Sequence, residues 1–132
     1  MNLMNNEMIM ELEIWGRVLP IKISYDCFEG EEITKIQQET YIQFQDNQNE
    51  IFNEAFDKIR VYCLSQYSEQ ITDNFENIFR YVKPKELYIK RSVTGKKIAG
   101  LLCSFKCDIE HGLVAYIEDG HVTKVGPQDI IL

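Results

Sequence analysis

Ten consecutive residues, CSFKCDIEHG at 103–112, combine two thiols, two carboxylates and an imidazole. Thiolates and imidazoles are common zinc ligands, and a histidine beside a carboxylate is a common general acid or base. However, Cys103 and Cys107 stand further apart than the cysteines of usual zinc turns, and no second pair supplies the remaining ligands. We therefore expect no metal and no cofactor, and we expect both thiols to share one strand face with Phe105 in the core.

The residues that follow, Asp108, Glu110 and His111, have three interpretations. An enzyme or metal-dependent accessory protein would use all three side chains, but the stretch contains no clear nucleophile and no fixed oxyanion donor. In a structural turn, Asp108 would cap the backbone and Gly112 would take a positive φ angle. In a binding edge, the carboxylates of Asp108 and Glu110 would join a second acidic run. The sequence favours the structural turn, and we assign no catalytic residue.

That second acidic run, DCFEGEE at 26–32, precedes a stretch with helical periodicity. Carboxylates in the first turn of a helix interact favourably with its free amides and with the positive end of its dipole. We therefore predict that the run forms the entry to a helix, and we take its exposed carboxylates as candidate partner-binding groups. These are Asp26, Glu29, Glu31 and Glu32.

Two strands are predicted before the acidic run. Apolar and polar residues alternate over 8–15 and again from Arg17 to Tyr25, which is the two-residue period of a strand with one buried face. Gly16-Arg17 supplies a tight connection, and Pro20 favours an edge or a bulge. An N-terminal β-hairpin follows from these features.

Two to three helices are predicted next. Apolar residues recur at helical spacing from Ile33 to Phe44, and again from Phe52 to a predicted end near Tyr67. A third, short helix is predicted over 72–82, with Thr72 or Asp73 as its cap and with Lys83-Pro84 ending it.

The remaining sequence predicts strands, and Asp119-Gly120 between two of them is a strong hairpin signal. The prediction is a single α+β domain over residues 1–132. It has an N-terminal β-hairpin, two to three helices and a C-terminal antiparallel β-meander, forming one sheet with the helices on one face.

Charge and composition limit the classes of partner. The net charge of −7 opposes the binding of a nucleic acid backbone, and the N-terminal residues contain neither a secretory signal nor a membrane-spanning run. Four irregularly spaced cysteines do not form a disulfide framework. We therefore expect a cytoplasmic protein with reduced thiols and with no nucleic acid or membrane partner.

Several motifs resemble those of an uncharacterised bacterial domain family. They are YDCFEGEEI at 25–33, VKPKELYI at 82–89, LLC at 101–103, DIEHG at 108–112 and VGPQDII at 125–131. The resemblance covers most of the chain and implies no enzymatic activity. The family is similar in size and setting to immunity proteins of bacterial toxin systems, and it favours a large aromatic residue where this chain has Cys107.

The leading hypothesis from the sequence is a non-enzymatic binding protein, most concretely an immunity protein that neutralises a basic bacterial toxin domain through an acidic surface. The first alternative is the enzyme or metal-dependent accessory protein that uses Asp108, Glu110 and His111. A second alternative is a structural subunit of a homo-oligomer joined through sheet edges.

Overall fold

Six strands form one sheet in a computed structural model that describes residues 7–132. Their order across the sheet is their order in the sequence, and every neighbouring pair is antiparallel except β2 and β3, which are parallel. The predicted α+β class, the N-terminal hairpin and the C-terminal meander are confirmed. The strands are β1 (Glu7–Ile14), β2 (Arg17–Tyr25), β3 (Val82–Ile89), β4 (Ile98–Phe105), β5 (Leu113–Glu118) and β6 (His121–Gly126).

Two of the hairpin turns use left-handed backbone at both central residues. Asp119 and Gly120 have φ angles of 50° and 88°, as type I′ turns require. The β1–β2 turn is formed by Trp15 and Gly16, with φ angles of 52° and 85°, one residue before the predicted position. Pro20 lies in a part of β2 outside the four-residue register with β3, so its missing N–H breaks no ladder between these strands.

The crossover from β2 to β3 contains two helices, α1 (Lys35–Asp46) and α2 (Gln48–Gln66). Thr34 and Gln37 form a capping box at the start of α1, whose first turn contains no acidic residue. The prediction that residues 26–32 form the helix entry is therefore wrong. The Thr34 hydroxyl accepts the free amide of Gln37 in place of those carboxylates, so the acidic residues lie in a loop before the helix.

The third predicted helix is also wrong, since residues 72–82 contain only a three-residue 3₁₀ helix, Ile78–Arg80. Asp73 accepts the amide of Phe75 at 3.1 Å, and Asn74 and Phe75 have φ angles of 57° and 61°. A side-chain acceptor two residues upstream competes with helical hydrogen bonding, and the left-handed residues end any helix. Lys83 and Pro84 stop no helix, because both lie in β3.

One face of the sheet and the two helices enclose the main core. Ile51, Phe52 and Ile59 of α2 pack with Ile21 and Leu87 of the strands in one buried cluster. Cys103 is fully buried there, as predicted, whereas Cys107 follows the last residue of β4 and is only partly buried. The expectation that both thiols share one strand is therefore wrong for Cys107.

The opposite face of the sheet is partly covered by the last residues of the chain. Ile131, which follows a 3₁₀ helix at Gln128–Ile130, is almost completely buried against Leu102 and Val114. Lys90 donates a hydrogen bond from Nζ to the Ile131 carbonyl at 2.7 Å. Within the residues that the structure describes, neither helix is sufficiently long and apolar to cross a membrane.

Candidate functional site

The acidic run forms a loop, residues 26–32, that begins where β2 ends and is attached to the end of β3. We call it the acidic loop. The amide of Asp26 donates to the Ile89 carbonyl at 2.9 Å, and its carboxylate accepts the amide of Arg91 at 3.2 Å. Buried Gln37 donates to the carbonyls of both Asp26 and Ile89, at 3.0 and 3.2 Å. Asp26 therefore fixes the base of the loop.

Arg91 holds the far side of the acidic loop. Its guanidinium donates to the Glu32 carbonyl at 2.9 Å and lies 3.7 Å from the Glu31 carboxylate. A further contact at 3.5 Å joins Arg91 to the sulfur of Cys27. Partial burial raises the pKa of Cys27, although the adjacent guanidinium opposes the shift. One cation thus holds a loop with four carboxylates, which keeps an excess of negative charge.

Phe28 points outward from the acidic loop, with 75% of its surface exposed. Its amide donates to the Glu31 carboxylate at 2.7 Å, and its carbonyl accepts the amide of Glu31 at 3.0 Å. The backbone beneath the ring is therefore fixed. Sequence reasoning missed Phe28, although an aromatic residue among carboxylates and outside any strand or helix period is a readable signal for an exposed ring.

The carboxylates of the acidic loop have different roles. Asp26 and Glu31 accept backbone amides and contact Arg91, so they hold the loop in shape. Glu29 and Glu32 are exposed, and their carboxylates make no hydrogen bond or ion pair with any residue in 7–132. Of the four candidate partner-binding residues in the acidic loop, these two are available to a partner without breaking a contact.

Residues 108–112 form a closed turn, which we call the Asp108 turn. The Asp108 carboxylate accepts the amide of His111 at 3.2 Å and lies 3.1 Å from the imidazole Nδ1. Gly112 donates its amide to the Asp108 carbonyl at 2.9 Å and has a φ angle of 63°. Both predicted features, the Asp108 cap and the positive φ of Gly112, are confirmed.

Electrostatics in the Asp108 turn follow from these contacts. The hydrogen bonds from the His111 amide and ring lower the pKa of Asp108. The Asp108 carboxylate in turn raises the pKa of His111, with smaller contributions from Glu110 and Asp129. Glu110 is exposed and adds no hydrogen bond to the turn. Among residues 7–132, no three His, Cys, Asp or Glu side chains are arranged to hold a metal ion.

The C-terminal segment packs directly on the Asp108 turn. Gln128 donates its amide to the His111 carbonyl and its side-chain nitrogen to the Cys103 carbonyl, both at 3.0 Å. A Cβ atom on Gly112 would lie 2.5 Å from that nitrogen. The motifs at 101–103, 108–112 and 125–131 therefore form one structural unit.

The structure places the two groups of candidate residues at opposite ends of β3. The acidic loop forms a hydrogen bond with Ile89, the last residue of β3. Lys106, which lies just before the Asp108 turn, donates its amide to the carbonyl of Tyr81, the residue that precedes β3. Eight residues of strand separate the two ends by roughly 20 Å. Asp108 and Glu110 thus do not join the acidic loop in one continuous surface.

A family model described as "Domain of unknown function (DUF6985)" matches residues 5–132. The chain belongs to this family. The DUF6985 match includes both the acidic loop and the Asp108 turn, so it covers the whole sheet described above. No curated protein and no solved structure matches the chain.

Proposed function

We propose that this DUF6985 domain is a non-enzymatic binding protein of bacterial origin, and most concretely a cytoplasmic immunity protein that neutralises a basic toxin domain. The observation that carries the proposal is the acidic loop, which presents the exposed ring of Phe28 together with the exposed carboxylates of Glu29 and Glu32 on a backbone held by hydrogen bonds. The Asp108 turn is assigned a structural role, because its polar groups bond mainly to one another.

Fixed geometry favours binding by the acidic loop. Ordering a loop on association costs free energy, and a loop already held in its bound shape avoids that cost. Gln37 and the Ile89 carbonyl bind the first residue of the loop, Asp26, and Arg91 binds the carbonyl of its last residue, so both ends of the loop backbone are held. A partner would therefore bind Phe28 and the carboxylates of the loop without the entropic cost of ordering the loop.

The chemistry of the loop defines the partner's surface. Aromatic side chains that enter a pocket at the centre of an interface often carry much of the binding energy. Carboxylates around such a ring act mainly on the rate of encounter and on the choice of partner. The complementary surface would present an apolar pocket for Phe28 surrounded by lysine and arginine, as a basic toxin domain can.

The overall charge supports the same partner. At a net charge of −7 the whole chain attracts a cationic protein over distances set by ionic strength. Glu29 and Glu32 add two exposed carboxylates to the loop that contains Phe28. Long-range attraction would speed the encounter, and the aromatic contact would slow dissociation.

The test uses the toxin domain encoded by the adjacent reading frame, with association and dissociation rates measured at several salt concentrations. We expect the double variant Glu29→Gln/Glu32→Gln to associate several-fold more slowly and with a weaker salt dependence. Phe28→Ala should mainly raise the dissociation rate, by about tenfold or more. Neither change touches a buried group, so the melting temperature should stay within a few degrees of wild type.

A matched control is available in the double variant Glu69→Gln/Glu76→Gln. It makes the same change in net charge at two exposed residues outside the acidic loop. If this control slows association as much as the loop variant, the effect comes from total charge and the acidic loop is not the recognition surface. A neighbouring toxin that does not bind the wild-type chain would contradict the immunity function itself.

A further inference from the structure

A cleft lined by basic residues lies at the end of β3 that is far from the acidic loop. It has a volume of about 330 Å³ and lies between residues 79–83 on one side and residues 104–106 with Ile109 on the other. A second cleft of about 270 Å³ shares Arg80, Tyr81 and Lys106 with it. We call the two together the cationic groove. Its size falls within the range of ordinary ligand sites.

Basic side chains line the rim of the cationic groove. Lys83 and Lys106 are exposed, and neither forms an ion pair with any residue that the structure describes. Arg80 is more than half exposed, although its guanidinium lies 3.4 Å from the Asp73 carboxylate. Arg17 is not one of the residues that line the groove, but it lies over the ring of Phe79, 4.3 Å from the ring centroid. In a chain with an excess of acidic residues, this is a local concentration of positive charge.

Apolar side chains lie beneath the groove and at one end of it. Val82 and Phe105 are register partners and are buried beneath it. Ile109 stands at the margin with 86% of its surface exposed, although it belongs to no strand or helix. Phe79 is partly buried and packs against Trp15, with ring centroids 5.8 Å apart. The groove thus offers apolar contact at Ile109 and Phe79 and includes three basic residues in its lining, Arg80, Lys83 and Lys106.

The walls of the groove are held together by backbone and aromatic contacts. The amide of Lys106 donates to the Tyr81 carbonyl at 2.8 Å, which joins the two sides. The Tyr81 ring stacks on Phe75 at 5.7 Å, and its hydroxyl donates to Asp73 at 2.9 Å. These contacts fix the walls of the groove, so the exposed side chain of Ile109 and the part of Phe79 that is exposed remain available to an incoming side chain.

From this arrangement we infer that the cationic groove binds an acidic segment of a protein partner, with an apolar side chain of that segment seated against Ile109 and Phe79. Carboxylates on either side of that side chain would meet Lys83 and Lys106. The net charge of −7 opposes any anionic partner, but it opposes the continuous phosphate charge of a nucleic acid more than a short acidic segment that also carries an apolar side chain for Ile109 and Phe79. The inference does not rest on the immunity function, because it concerns the other end of the sheet.

The probe is a capped pentapeptide, Glu-Glu-Phe-Glu-Glu, compared with Gln-Gln-Phe-Gln-Gln. Trp15 is the only tryptophan of the chain and packs on Phe79, so its fluorescence reports occupancy of the groove. Calorimetry with the same peptides gives the affinity independently. We expect saturable binding of the acidic peptide and at least about tenfold weaker binding of the neutral one, equivalent to about 1.4 kcal/mol.

Variants locate the site. Lys83→Gln/Lys106→Gln should weaken binding of the acidic peptide by about tenfold, and Ile109→Ala should weaken it several-fold. The control is Lys35→Gln/Lys97→Gln, which makes the same change in net charge. Lys35 is the first residue of α1, and Lys97 directly precedes β4, so both lie away from the groove. This control should leave the affinity within about twofold of wild type.

Three results would overturn the inference. The first is the absence of saturable binding at millimolar peptide, and the second is equal weakening by the two double lysine variants. The third is tighter binding of an oligothymidylate than of the acidic peptide, which would identify a site for single-stranded nucleic acid. The toxin-binding experiment is unaffected by any of these results, because its variants lie in the acidic loop.

Discussion

Ile131 occupies the space where residue 100 would otherwise have a side chain. A Cβ atom on Gly100 would lie 2.7 Å from Cδ1 of Ile131 and 2.8 Å from Cγ2 of Val114. The absence of a side chain at one position of β4 therefore lets the C-terminal segment lie flat against the sheet. Gly100 has no unusual φ angle, so steric space alone explains the glycine.

Gly100→Ala should destabilise the fold by about 1 to 3 kcal/mol, because the added methyl group overpacks the contact with Ile131. The measurement is the free energy of unfolding in urea. Ile131→Val removes Cδ1, so the cost of Gly100→Ala should be smaller in that background. If Gly100→Ala lowers the free energy of unfolding equally in wild type and in Ile131→Val, contact with Ile131 is not the cause of the destabilisation.

Gly112→Ala should be more destabilising than Gly30→Ala. Gly112 and Gly30 have positive φ angles of 63° and 85°. At either position the strained backbone of an alanine should lower the free energy of unfolding by about 1 kcal/mol. Only at Gly112 does the new Cβ meet Gln128, whereas no atom lies within 4 Å at Gly30. The difference between the two free energies of unfolding measures the contact between the Asp108 turn and the C-terminal segment. Identical values would contradict that contact.

The four thiols should react with iodoacetamide in two groups. Burial raises the pKa of Cys63 to about 12 and also raises that of fully buried Cys103. Cys27 and Cys107 are only partly buried. At pH 8 in the native protein we expect alkylation of Cys27 and Cys107 alone, and alkylation of all four after unfolding. Mass spectrometry counts the products, and rapid native labelling of Cys103 would contradict its position in the core.

Glu54 should make the attachment of α2 to β6 sensitive to acid. Partial burial by itself raises the pKa of Glu54, but hydrogen bonds from the Val122 amide and from His121, both at 3.1 Å, outweigh it and lower the pKa. Because the folded state has the lower pKa, the stabilisation is present above the ordinary value of 4.5. It is lost as the pH falls through the folded value.

Urea unfolding at several pH values between about 3 and 7 tests this expectation, with Glu54→Gln as the variant. The variant should lose stability at neutral pH and show a weaker decline on acidification than wild type. The control is Asp57→Asn, at an exposed position of the same helix, which should not reproduce the loss of stability at neutral pH. Parallel curves for wild type and Glu54→Gln would show that the Glu54 contact contributes nothing.

Local patterns in the sequence predicted the parts of the fold that depend on near neighbours. Asp119-Gly120 specified its turn, and the apolar period of residues 52–63 specified the buried face of α2. The third helix failed because the Asp73 side chain takes the amide of Phe75, a competition that apolar periodicity does not register.

Contacts between distant residues explain what the sequence could not predict. The acidic loop is held by Arg91, 59 residues from the Glu32 carbonyl that it binds, so the loop could be recognised as acidic but not as rigid. The cationic groove likewise joins residues 79–83 to residues 104–109, and no single stretch of sequence contains it. The Asp108 turn was predictable because the hydrogen bonds within residues 108–112 span four residues or fewer, although its contact with Gln128 was not.

The single parallel pair, β2 with β3, gives the chain two kinetically different halves. Strands β3 to β6 pair with sequence neighbours, whereas β2 must close a crossover of residues 26–81 before it can pair with β3. Closing a long loop lowers chain entropy before the contacts that compensate for this loss can form. The β1–β2 hairpin should therefore join the sheet late on the folding pathway. Substitutions such as Ile21→Val should then accelerate unfolding with little change in the folding rate, while Leu101→Ala should slow folding. The hairpin that leads into the acidic loop would also be the first part of the sheet to detach.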